Sequence, residues 1–434
     1  MSETPPASRL VFDWNTAGTG YPHRDRPVEF DDETLRDGLQ SPSVRDPDID
    51  TKIRLVHLMD ELGIHTVDVG LPGAGPRARA DITALCREIS SARLKITPNC
   101  AVRTVQSDIT ALIEISQKVG MAIEACAFIG SSPIRQYAEE WTLDHVLKLT
   151  EDAVSYAARN GLPVMYVTED TVRATPDTIA RLYRTAIRAG AKRVCVCDTV
   201  GHITPRGVRN LIPFVRQVIL ETGEDIKIDW HGHNDRGLGV INTITAMTSG
   251  VDRLHATALG IGERVGNCSM DQLLVNLRLM GYIDTDLSRL RDYVELTSAG
   301  TGVPIPASYP VFGQDAFRTA TGVHAAAIIK AKKKGEDWLA DRVYSGVPAG
   351  MVGSRQQIEV GFMSGVSNVV YWLHEHGMEP TDHLVEEIFR AAKERNRVLT
   401  DDELLEICKF EAVEKERPLP LDTVDAWKER IERS

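Results

Sequence analysis

Between residues 28 and about 280 the chain alternates short β-rich runs with helical stretches, and the alternation repeats eight times. The candidate strands are VEFDDETL (28–35), HTVDVGL (65–71), LKITPNCAV (94–102), MAIEACAFIG (121–130), PVMYVTED (163–170), KRVCVCDTV (192–200), IKIDWHGHN (226–234) and VDRLHATALGIG (251–262). Between them lie patterns such as DIDTKIRLVHLMDELG and LDHVLKLTEDAVSYAARNG, with apolar residues near a 3.6-residue spacing. Gly63, Gly120, Gly161, Gly190 and Gly250 each follow such a stretch, where a C-terminal cap is expected. Eight βα units in about 250 residues match a (β/α)8 TIM barrel in count and length. A doubly wound open sheet is the competitor, but it usually has fewer strands and gives no reason for eight. The predicted fold is therefore α/β, a TIM barrel followed by small, mostly helical subdomains.

In such a barrel the chemistry sits at the carboxyl ends of the strands. Those ends carry DETLRDGLQ, GLPGAG, CAVRT, FIGSSP, TEDTVR, DTVGH, HGHNDRG and GIGERVGN. Nearly all the charged, amide and glycine-rich punctuation falls on this one rim. Scattered surface polarity would not do so, and the reading is an enzyme rather than a barrel serving only as a binding module.

The seventh strand supplies His231 and His233, which alternation places on one face. Two imidazoles on one face can hold one metal ion, and an open catalytic site typically adds a carboxylate. Asp37, at the end of strand one, is the best donor, because only strand eight separates strands one and seven in a closed barrel. Asp31 and Asp32 are alternatives that point deeper. Arg36 beside Asp37 can polarise a carbonyl oxygen, or merely form an ion pair with Asp37 or Glu169. Glu169, closing strand five, could orient the site or relay protons, and Asn267 offers an amide toward the metal or its water. Arg103, at the third strand's end, is placed among the substrate-binding residues. The GIGERVG loop does not have the glycine spacing of a dinucleotide fingerprint.

The remaining features mostly exclude. A net charge of −12 argues against nonspecific nucleic-acid or membrane binding, and KAKKK at 330–334 reads as a solvated helix face. No apolar run reaches the roughly 18 residues of a membrane span. The first residues, MSETPPASR, carry no hydrophobic segment and suggest a mobile tail. Seven unpatterned cysteines fit a reducing cytoplasm. Cys195 and Cys197 form a CxC that reads as core thiols rather than a metal site, since no second cysteine pair accompanies it. After residue 285 the pattern changes. The expected organisation is an N-terminal extension (1–27), the catalytic barrel (28–285), a linker and small subdomain (286–352), and a C-terminal helical subdomain (353–434).

FDDETLRDGLQ, HGHND, GIGERVGN and the late TGVHAAAIIK resemble the 2-isopropylmalate synthase and homocitrate synthase family over about residues 28 to 370. Each motif alone is unspecific; their combination in this order is specific. The resemblance implies a divalent metal ion (Mg, Mn or Zn) and acetyl-CoA as co-substrate. It also implies a Claisen-type addition to a 2-oxo acid followed by thioester hydrolysis. By position, the family's metal ligands match Asp37, His231 and His233, with Asn267 near the metal. Its substrate arginine matches Arg36, followed by Gln40; its rim glutamate matches Glu169, and the threonine of its DT motif matches Thr199. The family's partner-subunit histidine matches His324, accompanied by Tyr344 in VYSGVP, which implies a homodimer whose small-subdomain arm reaches across.

The chain also departs from the family. The loop after strand two usually ends small-small-Ser, but here it is GLPGAG, and Gly73, Ala74 and Gly75 suggest a roomier pocket. Where the family commonly has a histidine after strand four, this chain carries Arg135, which could contact a second substrate carboxylate, a CoA phosphate or simply Glu139. 2-Oxoisovalerate is the first expectation, with homocitrate- or citramalate-type substrates as alternatives. Feedback through the leucine-sensing domain of the long isopropylmalate synthases is not expected, since the 434 residues leave no space for it. A rival is a lyase resembling 3-hydroxy-3-methylglutaryl-CoA lyase. That family uses a cysteine in a glycine-rich loop after strand eight, and the nearest thiol here is Cys268.

Overall fold

A computed structural model of the protein describes residues 10–18 and 20–414. The expected tail at 1–9 and the helical pattern at 421–432 lie outside the described residues. The chain divides into two compact units between Ile305 and Pro306. In the first, eight parallel strands close into a barrel: β1 (Glu29–Asp32), β2 (Thr66–Asp68), β3 (Thr97–Arg103), β4 (Glu124–Gly130), β5 (Val164–Glu169), β6 (Arg193–Asp198), β7 (Lys227–Gly232) and β8 (Arg253–Ala256). Each pairs with its successor, and β1 closes the ring against β8, Glu29 opposite Arg253 and Asp31 opposite His255. Because both faces are covered, a strand such as β6, RVCVCD, is buried throughout.

The helices follow from the sequence pattern. In the helix Leu143–Arg159, Thr142 caps the start by accepting from the His145 N–H at 3.2 Å. Its buried residues Val146, Thr150, Ala153, Val154 and Ala157 make one stripe against the barrel. The helix Gln106–Val119 ends on Gly120, whose φ of 67° is the left-handed turn that returns its N–H to the last carbonyls.

Among the boundaries that differ from expectation, two bear on the site. The first strand stops at Asp32 rather than at 35, because the chain folds back on itself: the N–H groups of Arg36 and Gly38 donate to the Glu33 carbonyl at 3.1 and 3.0 Å. Arg36 and Asp37 are thus turn residues set above the strand end. The first unit also runs past the expected limit at 285. It includes the helix Leu290–Thr301, fastened by the Tyr293 hydroxyl donating to Asp32 and by the Arg45 N–H donating to the Thr301 carbonyl at 2.9 Å.

Asp32 carries a pH signature. Burial pushes its carboxyl from 3.8 up to about 7, against hydrogen bonds from Thr34 and Tyr293 that favour the charged form. Between about pH 4 and pH 7 the native state therefore holds a proton that the unfolded chain has shed. Stability from this group is complete below about pH 4 and is lost as the pH rises through about 7. Asp68 titrates in the same window, so Asp32→Asn should lessen, not abolish, the fall in urea midpoint between pH 5 and pH 8. A variant that falls as steeply as the parent would contradict this.

The second unit holds the helix Gly322–Lys333, inside the stretch read as linker, where Ala325, Ile328 and Ile329 form a buried stripe. A two-stranded parallel pair (Arg318–Thr319 with Gln357–Ile358) and the helices Val366–Glu375, Asp382–Glu394 and Asp401–Glu414 follow. Val369, Trp372, Leu373, Ile388 and Leu404 build their core. Of the KAKKK run, Lys332 is not simply solvated: its Nζ donates to the Tyr371 hydroxyl at 2.5 Å. No described helix is long and apolar enough to cross a membrane.

Candidate active site

The carboxyl ends of the strands enclose a cavity of about 270 Å³. Its lining falls into two halves. From β7, β8, β1 and β2 and the turn after β1 come His231, His233, His255, Glu33, Asp37, Arg36 and Asp68. From β3 to β6 come Ala101, Cys126, Phe128, Met165, Val167, Cys195 and Cys197, with Glu169 and Thr199 at the rim.

On the charged side His231 and His233 do share a face. Their Nε2 atoms stand 3.2 Å apart, and each lies 3.8 Å from Asp37 Oδ2. Two imidazole nitrogens on one ion at about 2.1 Å would stand roughly 3.0–3.4 Å apart, so the histidines fit a common cation. Two further observations agree. His233 Nδ1 and Asn267 Oδ1 are buried without a hydrogen-bond partner. At Gly262 a Cβ would come within 2.2 Å of Asn267 Nδ2 and 2.8 Å of Asp37 Oδ1, so only glycine lets the loop close over these groups. Asn267 Nδ2 donates to Asp37 Oδ1 at 2.7 Å and to the Ile261 carbonyl at 3.1 Å. Burial pushes the Asp37 carboxyl up, but Arg36, His231 and His233 pull it below its usual value. Burial and the neighbouring His231 lower His233 to about 4, which leaves the ring neutral, with one nitrogen lone pair to offer a cation at neutral pH.

Arg36 is pinned by three carboxylates: Nε to Asp68 at 2.8 Å, Nη1 to Asp37 at 3.0 Å and Nη2 to Glu33 at 2.6 Å. It pairs with Asp37 as one reading allowed, not with Glu169. Burial outweighs the pull of Arg36 and raises Asp68 to about 7. Burial likewise raises Glu169. Gln40 lines the cavity mouth, and Thr199 does so while its Oγ1 accepts the Asp170 N–H at 2.8 Å.

Other expected residues stand elsewhere. Arg103 turns away from the cavity into a bidentate pair with Asp108, both contacts at 2.8 Å. Arg135 packs over Gly130 and pairs with Glu139 at 3.1 Å, outside the lining. Gly73 of GLPGAG makes no extra room, since a Cβ there would meet the Asp108 carboxylate at 2.6 Å; a Cβ on Gly75 would meet nothing within 4 Å, but Leu71 is the residue of that loop at the cavity. Asp31 does point deeper, its Oδ1 accepting from Thr66 at 2.5 Å and Asn99 at 2.7 Å. Cys195 and Cys197 face the barrel interior with sulfurs 3.8 Å apart, and no third metal-binding group joins them among the described residues. His324 and Tyr344 lie in the second unit, where their rings stack at 4.1 Å.

Sequence reasoning did not assign Glu33, Asp68, Asp229 or His255. Asp229 lies two residues before His231 and so shares its face, a signal that was present. It is fully buried and accepts from Arg193 Nε at 2.7 Å, Arg253 Nε at 2.5 Å and His255 Nε2 at 2.9 Å. Burial opposes the charge on His255, but Asp31, Asp229 and Glu33 around it raise the ring well above its usual pKa.

A sequence profile of the HMGL-like family matches residues 27–297. A homocitrate synthase of Methanopyrus kandleri is 30% identical over 87% of this chain and 91% of its own. A 2-isopropylmalate synthase of Sulfolobus acidocaldarius is 30% identical over 85% and 90%, and an (R)-citramalate synthase of Methanocaldococcus jannaschii 30% over 88% and 74%. Among solved structures, an HMG-CoA lyase of Brucella melitensis covers 63% of this chain and 98% of its own, with a TM-score of 0.52 at 21% identity, a likeness of fold. With the profile spanning most of the barrel and the synthases aligned along most of the chain, this protein belongs to the HMGL-like family, beside the 2-isopropylmalate and homocitrate synthases.

Proposed function

We propose that the protein condenses acetyl-CoA with a 2-oxo acid and hydrolyses the thioester, with 2-oxoisovalerate as the preferred acceptor. The observation that carries this reading is the meeting of Arg36 with Asp37, His231 and His233 at one mouth of the barrel. Asp37, His231 and His233 would hold a divalent ion, with Asn267 beside it, and that ion supplies a Lewis acid for the carboxylate and keto oxygens of the acceptor. Arg36 is a fixed cation toward which the keto oxygen gathers charge as the carbon–carbon bond forms. Three carboxylates hold it in place, so no reorientation is needed at that moment. Glu169, its pKa raised by burial, can carry a proton at the rim.

The choice of acceptor rests on the other half of the cavity. Ala101, Phe128 and Val167, joined by Leu71 from the loop after β2, suit an aliphatic side chain, and the one arginine in the described lining is already matched with three carboxylates. A second substrate carboxylate, as a homocitrate-type acceptor carries, finds no unmatched arginine in the described lining. The lyase alternative is disfavoured, because Cys268 is buried outside the cavity lining and burial pushes its thiol up to about 12. Incubation with acetyl-CoA and a panel of 2-oxo acids, following free CoA thiol, tests the reading. Thiol release should be fastest with 2-oxoisovalerate; release with none of the panel would overturn it.

The stacked pair of His324 and Tyr344 is the proposed base for the methyl proton of acetyl-CoA, offered to a partner subunit's cavity in a homodimer. Mixing inactive His324→Ala and His231→Ala chains should then restore part of the activity, since one site in each hybrid is whole. Mixtures as inactive as either variant would contradict the exchange.

A further inference from the structure

Glu33 sits at a crossing point that the family resemblance did not single out. It is buried, with 4% of its surface exposed, at the turn between β1 and the Arg36–Asp37 pair. Its two oxygens take three donors. Oε1 lies 2.7 Å from His255 Nδ1, while Oε2 lies 2.6 Å from Arg36 Nη2 and 2.9 Å from His231 Nδ1.

We propose that Glu33 is the positioning residue of this site, aiming His231 at the metal position and Arg36 at the substrate from a single carboxylate oxygen. The inference rests on the metal-dependent reading given above.

A carboxylate accepts and does not donate, so the proton of neutral His231 belongs on Nδ1, facing Glu33. Its Nε2 then presents a lone pair toward His233 Nε2 and Asp37. His233 has no such guide, because its Nδ1 is buried without a partner. Of the two histidines, His231 is thus the one whose tautomer and ring plane the protein sets in advance. Glu33 itself cannot swing away. His255 holds its far oxygen, Asp229 holds the other nitrogen of His255 at 2.9 Å, and Arg193 and Arg253 hold Asp229. The string runs unbroken from the barrel floor to the metal position. Since Arg36 and His231 share Oε2, the metal ligand and the substrate cation are kept at a fixed separation.

The test uses the full-length protein, freed of metal, with Mn²⁺ as the calorimetric titrant and no substrate present. Glu33→Leu removes the acceptor and should weaken Mn²⁺ binding by roughly 10–100-fold, the range for groups that orient metal ligands. It should also raise the KM for the 2-oxo acid, because Arg36 loses one of its three anchors. Glu33→Gln keeps the shape and one acceptor, so its affinity should fall between those of the parent and Glu33→Leu. Nitrogen chemical shifts of ¹⁵N-histidine-labelled protein should report the Nδ1–H tautomer of His231 in the parent and its loss in Glu33→Leu. Circular dichroism establishes which variants are folded, and if Glu33→Leu is not, Glu33→Gln decides. A folded variant of either kind with parental Mn²⁺ affinity and parental His231 shifts would reduce Glu33 to buried charge balance and overturn the inference. A parent protein that binds no Mn²⁺ would overturn the metal-dependent reading, and this inference with it.

Discussion

Replacing His233 with alanine should leave a folded protein that has lost most of its bound metal and nearly all turnover. The fold tolerates the change because the side chain ties nothing else together: Nδ1 has no partner, and the backbone bond from the His233 N–H to the Asp198 carbonyl at 3.1 Å survives. The ligand set does not tolerate it. His231 Nε2 and Asp37 Oδ2, 3.8 Å apart, would remain as a two-point site. Losing the Lewis acid should cost on the order of 4 kcal/mol of transition-state stabilisation, about a thousandfold in rate. Metal analysis of the purified variant, beside its thiol-release rate, makes the comparison. Parental metal content together with parental turnover would remove His233 from the site.

Asp229→Ala should produce the largest loss of stability, about 3–5 kcal/mol, as expected when one partner of a buried ion pair is removed. Asp229 is wholly buried, and three cationic groups converge on it: Arg193, Arg253 and His255. Without the carboxylate those charges remain inside the barrel with fewer partners. Burial favours its neutral form, but Arg253 and Arg193 hold Asp229 below the ordinary carboxylate range. Its contribution is therefore fully present at neutral pH and fades only as the pH falls through its depressed native value. Urea denaturation at pH 7 should show a lowered midpoint with an unchanged slope. A loss under about 1 kcal/mol would mean that neighbouring groups or water take over the role of Asp229, since 1 kcal/mol is the usual effect of an unremarkable substitution.

The barrel was legible because its signal is repetitive: each of the eight strands overlaps its expected run, and only β3 passes beyond one, by a single residue at Arg103. His231 and His233 were legible for a related reason, since strand periodicity alone puts i and i+2 on one side. What alternation does not give is height along the barrel axis or the identity of the neighbour across it. Asp229 and His255 face inward on readable strands and Glu33 follows β1 in its turn, yet their meeting depends on the stagger of β1, β7 and β8. Arg103 and Arg135 show the converse. Their position on the rim was evident, but Asp108 and Glu139, both one helical turn or so away, capture them locally. Gly73 of GLPGAG misled because an absent side chain was taken as space, whereas the Asp108 carboxylate fills it.

The division of the cavity into a charged half and an apolar half has an evolutionary consequence. The residues that carry charge are wired to one another from Arg193 to Arg36, so a substitution at any of them disturbs the rest. Ala101, Phe128 and Val167 line the opposite wall without entering that wiring. Selection can therefore remodel which side chain fits, one residue at a time, while the reacting centre stays constant. A lineage built on this barrel is free to diversify its acceptors without reinventing its chemistry.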